Sequence, residues 1–107
     1  MKMFAVHVFD INSSENKSIK EIVTSPEVAK ILLDLSYEEY PILSNITFID
    51  EELFNGNELL QIKDEICMLY KEVNNENQKQ FLKELLEIVK LSENLKLWVL
   101  FNPFYET

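Results

Sequence analysis

The chain has 107 residues and a net charge of −9, and its ten cations are all lysine. A chain of this length holds one domain rather than two, and a hydrophobic fraction of 47% sets it apart from disordered chains, which lack the apolar surface to offset ordering entropy. A negative chain without arginine has neither the long-range attraction to phosphate nor the planar fork that makes bidentate phosphate and base contacts, so no nucleic-acid partner is expected.

A single glycine and three prolines leave few tight turns, which favours long regular elements over a sandwich of many short strands. Residues 3–9 alternate as a strand, with Phe4, Val6 and Val8 in one row and Met3, Ala5, His7 and Phe9 in the other. Both rows are mostly apolar, so this strand is expected to be buried on much of both faces. Polar, turn-forming residues 10–16 follow. Residues 17–24 read as a short helix with Ile19, Ile22 and Val23 on one side. Ser25, Pro26 and Glu27 are a helix start: a capping hydroxyl, a proline whose missing N–H costs nothing at the first position, and an acid at the positive end of the dipole. The second helix then runs to about Leu35 on a stripe of Val28, Ile31, Leu32 and Leu35, and the two helices could equally be one, kinked at Ser25.

Residues 36–45 read as loop, because Pro41 stops the helix that the capping-box spacing from Ser36 to Glu39 would start. Residues 46–49 suit a short additional strand, and residues 50–54 a single helical turn before Asn55-Gly56. Asn57 can cap a third helix over 58–73, where Leu59, Ile62, Ile66, Leu69 and Val73 form a seam at alternating steps of three and four. Asn77 can cap a fourth, to about Leu91, with Phe81, Leu82, Leu85, Leu86, Ile88 and Val89 as its apolar face. Two long helices joined by a short polar turn should pack as an antiparallel α-hairpin. Residues 95–101 close the chain as a strand, ended by Pro103. The whole predicts one α+β domain over residues 1–107. In it a small two- or three-stranded sheet, with the first and last elements as strands paired at its centre, packs against about four helices.

Candidates for chemistry are sparse. His7, the single histidine, lies among apolar neighbours in the first strand and reads as a structural residue. Cys67 lies mid-helix in an acidic chain, without the electropositive setting of a reactive thiol, and one cysteine makes neither an intramolecular disulfide nor a zinc knuckle. Ser13-Ser14 has no evident base. Glu58, Glu65 and Glu72 recur at a spacing of seven on the long helix and read as a solvated face; no calcium-loop or di-iron spacing is present. A single glycine excludes a glycine-rich phosphate loop. These observations predict a protein that is not an enzyme, with no catalytic residue, metal or cofactor. No signal-like start and no apolar run of membrane-spanning length is present, which predicts a cytoplasmic protein that does not enter a membrane.

One feature is uneven. No lysine or arginine occurs from residue 31 to residue 61, yet Asp34, Glu38, Glu39, Asp50, Glu51 and Glu52 gather there beside Tyr37, Tyr40, Phe48 and Phe54. The span reads either as a charged loop over the edge of the core, with Phe48 and Phe54 turned inward, or as a surface for a basic protein. In the second reading the carboxylates steer and orient the partner while Tyr37, Tyr40 and Phe54 anchor it.

Residues 59–104 carry a resemblance. The segments "LLQIKDEICMLYKEV", "FLKELLEIVKL" and "LKLWVLFNPF" look, in layout, size and charge, like the small acidic bacterial immunity proteins of contact-dependent and polymorphic toxin systems. The resemblance implies a stoichiometric inhibitor that covers a basic, nuclease-like toxin domain; it transfers no binding residue. The alternative is a structural or regulatory subunit acting as a homodimer through Trp98, Phe104 and Tyr105. A small hydrolase would require acids from distant segments to share a pocket.

Overall fold

The computed structural model describes residues 2–12 and 17–107, with Lys17 placed by its backbone alone. The expected turn at 10–16 and Ser13-Ser14 thus fall largely outside the described residues. Strand β1 (Lys2–Asp10) forms where the alternation puts it, and β4 (Trp98–Glu106) pairs with it antiparallel at the centre of the sheet. The sheet is larger than expected. It has four strands in the order β2-β1-β4-β3, rather than two or three, and the described residues form three α-helices rather than about four.

The difference arises mainly at residues 17–24. They form strand β2 (Lys17–Thr24), antiparallel to β1, and not a helix. The register slips between Val8, opposite Lys20, and Phe9, opposite Ser18, so Ile19 is an extra residue in β2. Such a bulge breaks the two-residue alternation and produces a spacing that imitates a helix face. The β-branched residues Ile19, Ile22, Val23 and Thr24 suit a strand once a partner is available. The second addition is β3 (Glu52–Phe54), paired with β4 where a helical turn was expected. Residues 46–49 form no strand. Instead the Thr47 hydroxyl accepts from the N–H groups of Ile49 (3.3 Å) and Asp50 (3.2 Å), which holds a turn.

Helix α1 (Pro26–Ala29) starts as expected, with the Ser25 hydroxyl accepting from Val28 N–H at 3.2 Å. It ends sooner, in a 3-10 turn (Lys30–Leu32), and Asp34 at φ 62° redirects the chain. Helices α2 (Asn57–Glu72) and α3 (Glu76–Leu95) form the antiparallel hairpin, tied by an ion pair between Lys63 near the start of α2 and Glu93 near the end of α3. Both caps lie upstream of the expected residues. Gly56 occupies the α2 cap at φ 59°, ψ −130°, a conformation that L side chains rarely adopt, and Asn75 caps α3 by accepting from Gln78 N–H at 3.0 Å. Strand β4 runs through Pro103 because the register against β1 slips between Met3 and Ala5 there, leaving no ladder bond for the missing N–H.

The two faces of the sheet follow from the register. The inner rows are Ile22–Val6–Phe101–Glu52 and Lys20–Val8–Val99–Phe54, with Phe4 beside Thr24. Phe4, Val6, Val8, Val99 and Phe101 form one core with Leu59, Ile62 and Ile66 of α2 and Leu82, Leu85 and Ile88 of α3. The outer rows are Glu21–His7–Leu100–Leu53 and Ser18–Phe9–Trp98, with Val23–Ala5–Asn102 beside them. All the helices lie on the inner side.

The long segment between α1 and β3 is drawn onto the core by Tyr40, Leu43 and Ile46, all nearly inaccessible. Glu65 fastens it. This helix acid, expected on a solvated face, is fully buried, and its carboxylate accepts from Ile42 N–H (3.1 Å) and Leu43 N–H (2.9 Å). A buried carboxylate is tolerable only with such partners, and here it serves as a clamp between α2 and an otherwise irregular segment.

Candidate functional site

The acidic span between α1 and β3 stays at the surface, but its aromatic residues divide. Tyr37 is 71% exposed, whereas Tyr40 and Phe54 are core residues at 6% and 5%. Phe54 packs edge-on to Phe101, with ring centroids 5.7 Å apart. Tyr40 N–H donates to the Ser36 carbonyl (2.8 Å), and burial together with Glu39, Glu72 and Glu65 raises its hydroxyl pKa above the ordinary value. Phe48 is half-buried against Phe4, at 5.4 Å between centroids, as the inward-anchor reading expects. This leaves Tyr37 as the freely presented ring of the set.

Asp34, Glu38, Glu39, Asp50 and Glu51 are exposed, and Glu52 is half-buried opposite Phe101. Ser36 and Glu39 realise the capping-box pairing as a turn: Glu39 N–H donates to the Ser36 hydroxyl (3.2 Å), which in turn donates to the Glu39 carboxylate (3.3 Å). Among the described residues no lysine forms an ion pair with any of these six carboxylates. Two of these acids mark two neighbourhoods. Glu39 joins Glu72 and Glu65 around Tyr40, while Glu51 joins Glu21 in acting on His7.

The second neighbourhood opens onto the outer sheet face. His7 is 6% exposed, and its Nδ1 lies 3.1 Å from the Ser18 hydroxyl and 4.0 Å from the Glu21 carboxylate. The Tyr105 ring lies 6.1 Å from the imidazole, and a hydrogen bond from its hydroxyl to Glu21 raises the Tyr105 pKa. Burial lowers the His7 pKa, and the charges of Glu21 and Glu51 partly oppose that shift. The serine and the carboxylate approach the same ring nitrogen. A nucleophile–base–acid relay needs them on opposite nitrogens, so this geometry locks three strands together rather than composing a triad.

Around that cluster the face is apolar. Leu100 and Ala5 are hidden, Phe9 and Trp98 are half-buried, and Leu53 and Val23 are 40% and 38% exposed. The sequence offered a clue to this surface in the apolar residues of both β1 rows and in Trp98 and Leu100, but the face exists only once four strands are aligned. Cys67 is exposed in a groove of about 290 Å³ between α2 and α3, lined also by Tyr70, Lys71, Leu82 and Lys83. Among the described residues no group of His, Cys, Asp and Glu side chains converges as metal ligands would, and no helix is long and apolar enough to cross a membrane. The chain matches no family model, no curated protein and no solved structure.

Proposed function

We propose that this protein is a non-enzymatic, stoichiometric binder of a basic protein, acting in the cytoplasm as an immunity-type inhibitor of a nuclease-like toxin domain. The observation that supports this reading is the exposed acidic span without lysine counter-charge, with Tyr37 standing out from it. Like charges held close raise the energy of the free protein, and a cationic surface relieves that repulsion while the field speeds encounter. Asp34, Glu38, Glu39, Asp50 and Glu51 stand in for the phosphates that such a toxin would bind, and Tyr37 supplies an amphipathic anchor. Tyr40, Phe54 and Glu52 act indirectly, by holding the span on the core and on β4.

The test is co-expression with each reading frame that flanks the gene, followed by association kinetics with any whose product proves toxic. Changing Glu38, Glu39 and Glu51 to Gln and Asp50 to Asn is expected to slow association about tenfold at low salt and to flatten its salt dependence. An unchanged rate with the same salt dependence overturns the electrostatic mechanism, and absence of protection overturns the inhibitor reading.

A further inference from the structure

The outer sheet face has an apolar centre and an acidic border on both sides. Its central row runs Glu21–His7–Leu100–Leu53 across all four strands. At the β2 edge the row ends in the Glu21 carboxylate. At the β3 edge, Glu51 immediately precedes the strand, two residues before Leu53, so strand alternation gives it the same side of the sheet as Leu53. The outer rows contain no lysine.

We propose that this face is the docking surface for one amphipathic, cationic helix of the basic partner. Its apolar stripe lies over Leu53 and Trp98, and its flanking lysines or arginines reach Glu21 and Glu51. The inference deepens the function proposed above and rests on it.

Three physical arguments select this occupant. The inner face of the same sheet shows what these strands accept, since α2 and α3 cover it as a helical layer. Dimensions agree: four strands at about 4.8 Å spacing are roughly 14 Å wide, against about 10–12 Å for a helix with its side chains. One helix therefore covers the centre while its flanking cations overhang both edges. Charge agrees as well, because carboxylates border the face and no lysine of the outer rows opposes an incoming cation. A face about 14 Å by 20 Å offers roughly 300 Å², short of the approximately 800 Å² per partner of a stable interface. The acidic span supplies the rest, because Glu51 belongs to that span and stands two residues before Leu53 of the face.

Trp98 is the single tryptophan and lies on this face, so the full chain carries its own reporter. The probe is a synthetic 18-residue helix of leucine and lysine with one apolar stripe, compared with a leucine–glutamate peptide of the same pattern. The leucine–lysine peptide is expected to shift Trp98 emission to the blue and to move amide resonances of β1, β3 and β4. Leu53→Lys should weaken it at least about tenfold, and Glu21→Gln with Glu51→Gln several-fold, whereas Leu60→Lys on α2 should leave it unchanged.

Equal binding of the leucine–glutamate peptide, or resonance shifts confined to α2 and α3, overturns the proposal. So does a Trp98 shift that depends on chain concentration without peptide and coincides with a sedimenting dimer, which would give the face to a second copy. Toxin binding slowed by the Glu38 and Glu39 variants but indifferent to Leu53→Lys overturns this docking surface and leaves the inhibitor reading standing. Absence of toxin binding alongside a normal peptide response overturns the inhibitor reading instead.

Discussion

The inner and outer faces of the sheet come from the same strands and meet different fates. On the inner face Phe4, Val6, Val8, Val99 and Phe101 are at most 2% exposed beneath α2 and α3. On the outer face Ala5, His7 and Leu100 are almost as hidden, yet no helix covers them; the Tyr105 ring lies 6.1 Å from that of His7, and Leu53 and Val23 remain open at the two edges. Low exposure therefore has two origins in this molecule. One is a packed layer that stabilises the fold. The other is mutual cover by side chains of one face, with no helix above them.

Substitutions on the two faces should separate those origins. The largest effect is expected inside. Phe101 meets Phe4 at 6.4 Å and Phe54 at 5.7 Å between ring centroids, so Phe101→Ala opens a cavity in the shared core. It should cost about 3–5 kcal/mol in urea unfolding. A loss below about 1 kcal/mol would mean that the inner layer is not what holds the sheet.

Next is Glu65→Ala, which leaves the N–H groups of Ile42 and Leu43 without their acceptor. About 2–4 kcal/mol should be lost, and hydrogen exchange should quicken first at those two amides. Uniform quickening along α2 would show instead that the helix, and not the segment fastened to it, depends on the carboxylate.

Leu53→Ala on the outer edge should cost no more than about 1 kcal/mol, since the side chain is 40% exposed before the change. A cost as large as that of Phe101→Ala would erase the distinction between the faces.

The smallest effect is one of pH. Burial holds the His7 pKa below the ordinary 6.5, so the unfolded chain takes up a proton before the folded one does. Stability contributed by neutral His7 is complete above that unfolded value and declines as pH falls through it toward the folded value. Glu21 and Glu51 limit the decline because both favour the charged ring. His7→Gln should flatten the dependence of stability on pH between about 7 and 5. A slope equal to that of the unsubstituted protein would place the titration elsewhere.

Legibility in the sequence tracked how local each cause was. The seam from Leu59 to Val73, the broad face of α3 and the Ser25 cap depend on residues within a turn or two of one another, and all three form near their expected places. Strand β2 was read as a helix because Ile19 is bulged and its pairing with β1 lies outside any local window. Part of the candidate site was legible in the same way. The exposed carboxylates and Tyr37 are where a lysine-free stretch places them, whereas Tyr40 and Phe54 look like their aromatic companions in sequence and are core residues in space. Glu65 was the least readable. A helix acid among solvated acids gives no sign that two backbone N–H groups from a distant segment will meet it.

The sequence by itself determined an acidic α+β chain with paired terminal strands, a two-helix hairpin and a long cation-free span, because hydrophobic period and charge are carried by the residues themselves. Tertiary structure alone decided that the sheet has four strands, that one apolar face is covered by helices and the other is not, and that Glu65 is buried against the N–H groups of Ile42 and Leu43. Those outcomes depend on which distant backbones exchange hydrogen bonds and which side chains then share a face, and no local pattern of residue types encodes that choice.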